Sequence, residues 1–98
     1  SSEGIINEVR QNPNAIGYDG LGYVPDDLKV IAIARQPGDP YILPSIATVN
    51  DNSYPIARDL YMYTAGEPSG AAAAYLDWIM HSAEAQAIVA ELGFVPIK

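Results

Sequence analysis

The side chains of this sequence that could do chemistry are few, and their spacing matches no common catalytic motif. The chain has one histidine, His81, and no cysteine, whereas a typical zinc site uses several histidine or cysteine ligands. Ser53 and Asp59 would complete a Ser-His-Asp set with His81 on paper, but there is no Gly-x-Ser-x-Gly turn to hold a nucleophile. We therefore predict that His81 has a surface or capping role, that there is no metal site or cofactor, and that the chain is not an enzyme.

Arg58 is the charged residue that is flanked by structured, apolar sequence, and two roles are open to it. Its guanidinium can pair with a carboxylate such as Asp59 or donate to loop carbonyls, and the sequence favours this ordinary role. The alternative is contact with a bound anion at a junction between two lobes.

Gly17, Gly20 and Gly22 superficially resemble a phosphate-binding loop. A dinucleotide loop has the pattern G-x-G-x-x-G at the start of a helix, whereas a Val-Pro pair and two aspartates follow here. We predict that the glycines lie in turns and strand edges, with Gly17 allowing another part of the chain to approach closely. The two carboxylates of Asp26–Asp27 are predicted to lie in a solvated turn.

Composition and charge exclude several classes of partner. The 98 residues make one domain or a piece of one, and 49% of them are hydrophobic, which is enough for a core. The formal charge of −7, with only five scattered basic residues, disfavours nucleic acid and anionic membranes, although a small anion can still bind locally.

No apolar run approaches the roughly 20 residues of a spanning helix, so we predict no membrane insertion. The chain opens with no signal peptide, and we expect any targeting segment to lie outside it.

The first half of the chain reads as a helix followed by short strands. Ser2 is a plausible N-cap for a helix over residues 1–10, which a proline turn ends. Strands are predicted at 15–18 and at Leu28–Ala34, whose continuous apolar run is typical of a strand covered on both faces. Residues 41–52 show no periodicity and predict a connector, with a helical turn around Ser45–Thr48.

The second half has strand-then-helix order, which predicts an α/β fold. Leu60–Thr64 is rich in aromatic and apolar residues and predicts a strand. Ser69 and Ser82 are plausible N-caps of two successive helices, and Gly93 occupies the position of a helix C′ residue. Four aromatic side chains could stack on a ligand, but we predict that they pack between the strand and the helix, because aromatic residues bury large areas. They are Tyr61, Tyr63, Tyr75 and Trp78.

Three stretches, in order and with matching spacing, resemble the phosphate-binding proteins of phosphate ABC transporters. Val9–Tyr23 is similar to that family's V-x-x-x-P-G-A-I-G-Y-x-x-L-G-Y segment, and Ser53–Tyr63 resembles its Y-P-L-S-R-P-L-Y-L-Y motif. Tyr75–Ile97 resembles its F-L-D-F-V-L-S-P-E-G-Q ending, which runs on to G-Y-V-P-L. One departure is Asp59, which stands where the family motif has proline.

The resemblance implies a type II periplasmic-binding-protein fold, in which two α/β lobes close on a ligand, and it implies that this chain is about the C-terminal third of such a protein. Residues 1–40 would then supply elements of the second lobe, and residues 41–52 would cross between the lobes. Residues 53–98 would supply a strand and the C-terminal helices of the first lobe.

By this resemblance, the chain is part of an extracytoplasmic protein, periplasmic or a cell-surface lipoprotein, that captures inorganic phosphate for the permease subunits of an ABC importer. The main phosphate contacts are expected upstream of this chain, so Arg58 and Ser2 are its own candidate ligand contacts. The alternatives are the same fold with another oxyanion, such as sulfate or molybdate, and a free-standing structural or interaction module without a ligand.

Overall fold

The computed structural model describes residues 1–97, and its regular elements are helical. Four α-helices and one short 3-10 helix follow in chain order. They are α1 (Ser2–Gln11), the 3-10 helix (Leu21–Tyr23), α2 (Ile46–Asn50), α3 (Gly70–His81) and α4 (Ala83–Glu91). No helix within residues 1–97 combines the length and the apolar character needed to cross a bilayer.

Side-chain caps begin three of the four α-helices. The fourth, α3, begins after Ser69 as predicted, but the Ser69 side chain makes no capping hydrogen bond. The predicted N-cap Ser2 is wrong by one residue: Ser1 is the cap, and its Oγ accepts from the N–H of Gly4 at 3.2 Å. A capping box between Ser45 and Thr48 begins α2, which confirms the predicted helical turn. The hydroxyl of Ser82 accepts from the backbone of α4, as predicted.

No strand ladder forms among residues 1–97, so the α/β prediction is not met within this chain. The predicted strands at 15–18, 28–34 and 60–64 are wrong as strands, although their backbones are non-helical. The only β-pairing among the described residues is an isolated antiparallel bridge between Ile33 and Ile42, which exchange two hydrogen bonds of 2.9 Å. The physical reason is that a strand exists only beside a neighbour, and apart from the single Ile33–Ile42 bridge these segments have no paired neighbour within the described residues.

The helices α3 and α4 form a hairpin, and the buried residue among 1–97 lies in it. Ala85, on α4, is 4% exposed. The amide of Gln86 donates to the carbonyl of Ile79 and accepts from the N–H of Ile97, each at 2.7 Å, which ties both helices to the C-terminal tail. The radius of gyration is 16.9 Å, against about 13 Å for a compact domain of this length. The chain is therefore extended and leaves most of its apolar surface uncovered.

The uncovered surface includes residues that the sequence predicts to be buried. Ala85, Ile88, Val89 and Leu92 recur at helical spacing, which predicts one buried face, yet Ile88, on α4, and Leu92, which follows the helix, are exposed, the latter by 66%. Tyr75 and Trp78 stack on each other, with ring centroids 6.3 Å apart, rather than between a strand and a helix. These side chains lack a covering layer within the described residues.

Two glycines fix the contact between the N-terminal half and the C-terminal tail. The backbone of Gly22, in the 3-10 helix, crosses that of Gly93, just after α4. A Cβ added to Gly22 would lie 2.5 Å from the carbonyl oxygen of Gly93, closer than atoms can approach. Gly93 also has a φ of +86°, as its predicted C′ position requires. The two backbones meet only because neither residue has a side chain.

We predict that Gly22→Ala loosens the tail through steric overlap alone. Gly22 does not have a positive φ, so the substitution adds a clash without backbone strain. Overpacking of this kind costs about 1–3 kcal/mol, so the N–H of Phe94, which donates to Val89, should exchange roughly tenfold faster or more. The measurement is amide hydrogen exchange by NMR.

Gly38→Ala is the matched control. Gly38 has a φ of +95° with no atom within 4 Å of an added Cβ, so this variant carries backbone strain without a clash. It should leave the exchange of Phe94 unchanged. Equal acceleration in the two variants would show that the glycine crossing does not hold the tail.

Candidate functional site

Arg58 lies in an open cavity of about 310 Å³ that also contains a carboxylate. The cavity is formed where the end of α2 meets the extended segment that follows it. Its lining residues are Val49, Asn52, Ala57, Arg58, Asp59 and Tyr61. Arg58 and Asp59 are both exposed, so the cavity is accessible to a small solute.

The guanidinium of Arg58 makes no hydrogen bond or ion pair with another residue in the described range 1–97. The ion pairs of this range are Arg10–Asp27 and His81–Asp77. The pairing that the sequence favours for Arg58, with a carboxylate or a loop carbonyl, is therefore wrong. Asp59, its neighbour in sequence and in the cavity, also has no partner among these residues.

One wall of the cavity is fixed by backbone contacts at Asn52. This residue has a φ of 63°, an uncommon conformation for a side chain other than glycine. The Nη2 atom of Arg35 donates to the carbonyl of Asn52 at 2.8 Å, and the next peptide is held by Asp51, whose Oδ1 accepts from the N–H of Ser53. Asn52 is not among the residues predicted for the site; its local signal in the sequence is the Asp-Asn pair, which is typical of turns.

Ser2, the second candidate ligand residue, lies on α1 and does not line the Arg58 cavity. It is half-buried, and its side chain hydrogen-bonds to the carboxylate of Asp19. This bond, together with the N–H of Gly20 at 2.7 Å, lowers the pKa of Asp19. The structure thus gives the Ser2 hydroxyl a local partner and does not bring it together with Arg58.

The three residues of the hypothetical Ser-His-Asp set do not assemble. Ser53 Oγ donates to the carbonyl of Thr48 at 3.4 Å, whereas Nδ1 of His81 lies 3.0 Å from Asp77. The His81 side chain is 74% exposed, which confirms its predicted surface role. No group of histidines and carboxylates within residues 1–97 could hold a metal ion.

Asp27 has a specific partner in addition to its solvated surroundings. Arg10, on α1, donates to both carboxylate oxygens of Asp27, at 2.7 and 3.0 Å. This fork geometry stabilises the charged form, and the hydrogen bond from Arg10 lowers the pKa of Asp27. Asp26 and Asp27 are exposed and lie in a turn, as predicted. The ion pair between Arg10 and Asp27 also joins this turn to α1.

A family model described as PBP superfamily domain matches residues 2–84. Among curated proteins, the chain is 28% identical over 100 residues to Phosphate-binding protein PstS of Pseudomonas aeruginosa, and 31% identical over 97 residues to the protein of that name from Bacillus subtilis. It is 30% identical over 98 residues to Phosphate-binding protein PstS 2 of Streptococcus pneumoniae.

The similarity covers 98% of this chain for the Pseudomonas aeruginosa protein, 99% for the Bacillus subtilis protein and 100% for the Streptococcus pneumoniae protein. They extend over 31% of each relative, so the chain spans about a third of the length of the proteins it matches. No solved structure matches the chain.

We predict that the two carboxylates with lowered pKa values respond independently to substitution. Ser2→Ala should raise the pKa of Asp19 toward the ordinary value of about 3.9 and leave Asp27 unchanged, because the Ser2 hydroxyl contacts only the former. Arg10→Gln should raise the pKa of Asp27 and leave Asp19 unchanged. NMR titration of the side-chain carboxyl carbons measures both.

The sign of the linked stability follows from the direction of these shifts. A carboxyl whose pKa is lowered by folding contributes stability above its unfolded pKa, and this contribution is lost as the pH falls through the folded value. The stability difference between Arg10→Gln and the parent chain should therefore be present at neutral pH and disappear in strong acid. A difference that persists there would contradict the assignment to Asp27.

Proposed function

The chain belongs to the PBP superfamily, and we propose that it is a segment of a solute-binding protein that captures phosphate outside the cytoplasm. The observation that carries this proposal is the extent of the similarity. Relatives from several bacteria, each named a phosphate-binding protein, match essentially the whole chain. Phosphate is therefore the ligand to test first, ahead of sulfate or molybdate.

We propose that the complete protein has the two-lobed α/β architecture of type II periplasmic-binding proteins. Two features of the chain support this. Its extended, apolar segments at 28–34 and 60–64 have the composition of sheet strands. Among residues 1–97, however, the first makes only the single Ile33–Ile42 bridge, and the second pairs with no other backbone segment. The relatives are also about three times as long as the region they share with this chain, which leaves ample sequence for neighbouring strands.

In this proposal, residues 1–40 belong to one lobe, 41–52 cross between lobes, and 53–98 complete the other. The crossing segment has contacts in both directions. Arg35, before it, donates to the carbonyl of Asn52, and the side chain of Asn50 donates to the carbonyl of Pro96 at 3.3 Å. Such contacts give the crossing segment a fixed position between the two groups of elements.

The proposed mechanism is closure of the lobes on the anion, followed by presentation of the closed form to the permease of an ABC importer. Binding of a small anion needs donors, either N–H groups at helix N-termini or cationic side chains. We propose that most of these donors come from other parts of the complete protein. Among residues 1–97, the donors of Arg58 have no acceptor, whereas the hydroxyl of Ser2 is engaged with Asp19.

The test is a chimera in which this chain replaces the matching third of the Bacillus subtilis relative. If the chain is a phosphate-binding-protein segment, the chimera should fold and bind phosphate in calorimetric titration, with sulfate as the control ligand. Contacts between the transplanted segment and the host lobes will be imperfect, which weakens phosphate binding. We expect the affinity to stay within about 100-fold of that of the relative, a loss of about 2.8 kcal/mol of binding free energy.

The Pseudomonas aeruginosa relative serves as a second host, so that misfolding in one host does not decide the outcome. Circular dichroism and thermal melting establish whether each chimera is folded. A folded chimera that prefers sulfate, or that binds neither anion, would contradict the proposal. Failure to fold in both hosts would show that the chain cannot occupy this segment.

A further inference from the structure

We infer that the Asp19–Gly20 peptide is a modification site at which aspartate converts to isoaspartate. The hydroxyl of Ser2 restrains the reaction, and the product disturbs the crossing of Gly22 and Gly93. The reaction needs only water and the residues of this chain. It is independent of the ligand that the complete protein binds.

The carboxylate of Asp19 lies beside the peptide nitrogen that would attack it. The N–H of Gly20 donates to Oδ1 of Asp19 at 2.7 Å. Because Oδ1 is bonded to Cγ, the carbon that would be attacked lies at most one C–O bond length farther from this nitrogen. Two groups held so close in one chain react far more readily than the same groups in separate molecules. The local geometry therefore favours ring closure.

Gly20 leaves its nitrogen accessible because it has no side chain. Asp19–Gly20 is the only Asp-Gly pair in the sequence, and both of its residues are exposed. Gly20 has an extended backbone, with φ −62° and ψ 141°, and precedes the 3-10 helix without a side-chain cap. A glycine backbone also rotates more freely than that of other residues, which helps the ring to close.

The reaction has two steps. In the first, the nitrogen of Gly20 forms a bond to Cγ of Asp19 while the C–O bond of the protonated carboxyl breaks, and the amide proton and the hydroxyl leave as water. The product is a succinimide ring. In the second step, water adds to one of the two ring carbonyls and breaks its C–N bond. Addition at Cγ restores aspartate, whereas addition at the main-chain carbonyl carbon gives isoaspartate, whose chain runs through Cβ and Cγ.

The hydroxyl of Ser2 restrains the first step by keeping the carboxylate ionised. Ring closure needs the protonated carboxyl, because hydroxide leaves far more readily than oxide. The hydrogen bond from Ser2 lowers the pKa of Asp19, and the bond from Gly20 and the charge of the amino terminus act in the same direction. Removal of the Ser2 hydroxyl raises this pKa, so a larger fraction of Asp19 is protonated at weakly acidic pH.

Isoaspartate at this position would displace the tie that holds the C-terminal tail. It adds a carbon to the main chain directly before the 3-10 helix, in which the N–H of Tyr23 donates to the carbonyl of Gly20 at 3.0 Å. Gly22, in this helix, crosses Gly93 so closely that a Cβ on Gly22 would overlap the carbonyl oxygen of Gly93. A contact this tight tolerates little displacement. We therefore expect the modified chain to lose the crossing.

The test is incubation of the full chain for several weeks at weakly acidic pH, followed by peptide mapping with mass-spectrometric fragmentation that distinguishes isoaspartate from aspartate. Isoaspartate should accumulate at Asp19 and more slowly at the other aspartates. Ser2→Ala should accelerate its accumulation by about two- to tenfold, the range that the loss of one hydrogen bond supports.

Two further variants show where the reaction occurs. Asp19→Glu should lose the modification at this position, because a glutamate has to close a larger and less favourable ring. Asp26→Glu is the matched control, since Asp26 is also an exposed aspartate but precedes an aspartate rather than a glycine. It should form isoaspartate at Asp19 at the rate of the parent chain.

The consequence for the tail is measured on the purified isomerised chain. The N–H of Phe94, which donates to the carbonyl of Val89, should exchange about as fast in this chain as in Gly22→Ala.

Three results would overturn the inference. They are the absence of isoaspartate at Asp19 from both the parent chain and Ser2→Ala, equal rates in these two chains, and unchanged exchange of Phe94 in the isomerised chain. None of these outcomes involves phosphate binding, so they are distinct from those of the chimera experiment.

Discussion

The constraint on which the rest of this structure depends is that an extended backbone must find partners for its N–H and C=O groups. Residues 55–68 make no backbone–backbone hydrogen bond within the described range, residues 1–97. This segment contains Leu60, Tyr61, Met62 and Tyr63, all of them exposed. Buried without partners, such groups would cost free energy, so the segment lies at the surface of this chain. A sheet that supplied neighbours would satisfy the backbone and cover the side chains together.

The helices form without this help because their bonds are local. Each is closed within its own residues, and the side-chain caps at Ser1, Ser45 and Ser82 lie within three residues of the groups they bind. Long-range order then rests on specific ties, which include the Gly22–Gly93 crossing, the Arg10–Asp27 pair and the Asn50–Pro96 hydrogen bond. A cavity with Arg58 and Asp59 remains where the connector meets the unpaired segment.

The same distinction explains what could be predicted from the sequence. The helical turn at Ser45–Thr48, the cap at Ser82 and the left-handed Gly93 depend on residues close in sequence, and the predictions for them are confirmed. Ser1 and Ser2 are chemically identical caps, and only geometry distinguishes them. The strands depend on neighbours far away in sequence, which composition cannot supply. The surroundings of Arg58 also depend on distant residues, because the fold decides which carboxylates lie near its guanidinium. Asn52 depends on Arg35, which donates to its carbonyl.

The most direct test of this account is amide hydrogen exchange of residues 55–68, measured in the chain by itself and in a folded chimera with a full-length relative. In the chain by itself, the account predicts exchange at nearly the rate of unstructured peptide, while the amides of α3 and α4 are protected. In the chimera, the amides of 60–64 should become protected as sheet neighbours pair with them. Strong protection of 60–64 in the chain by itself would contradict the account, because it would show that the segment already has its partners.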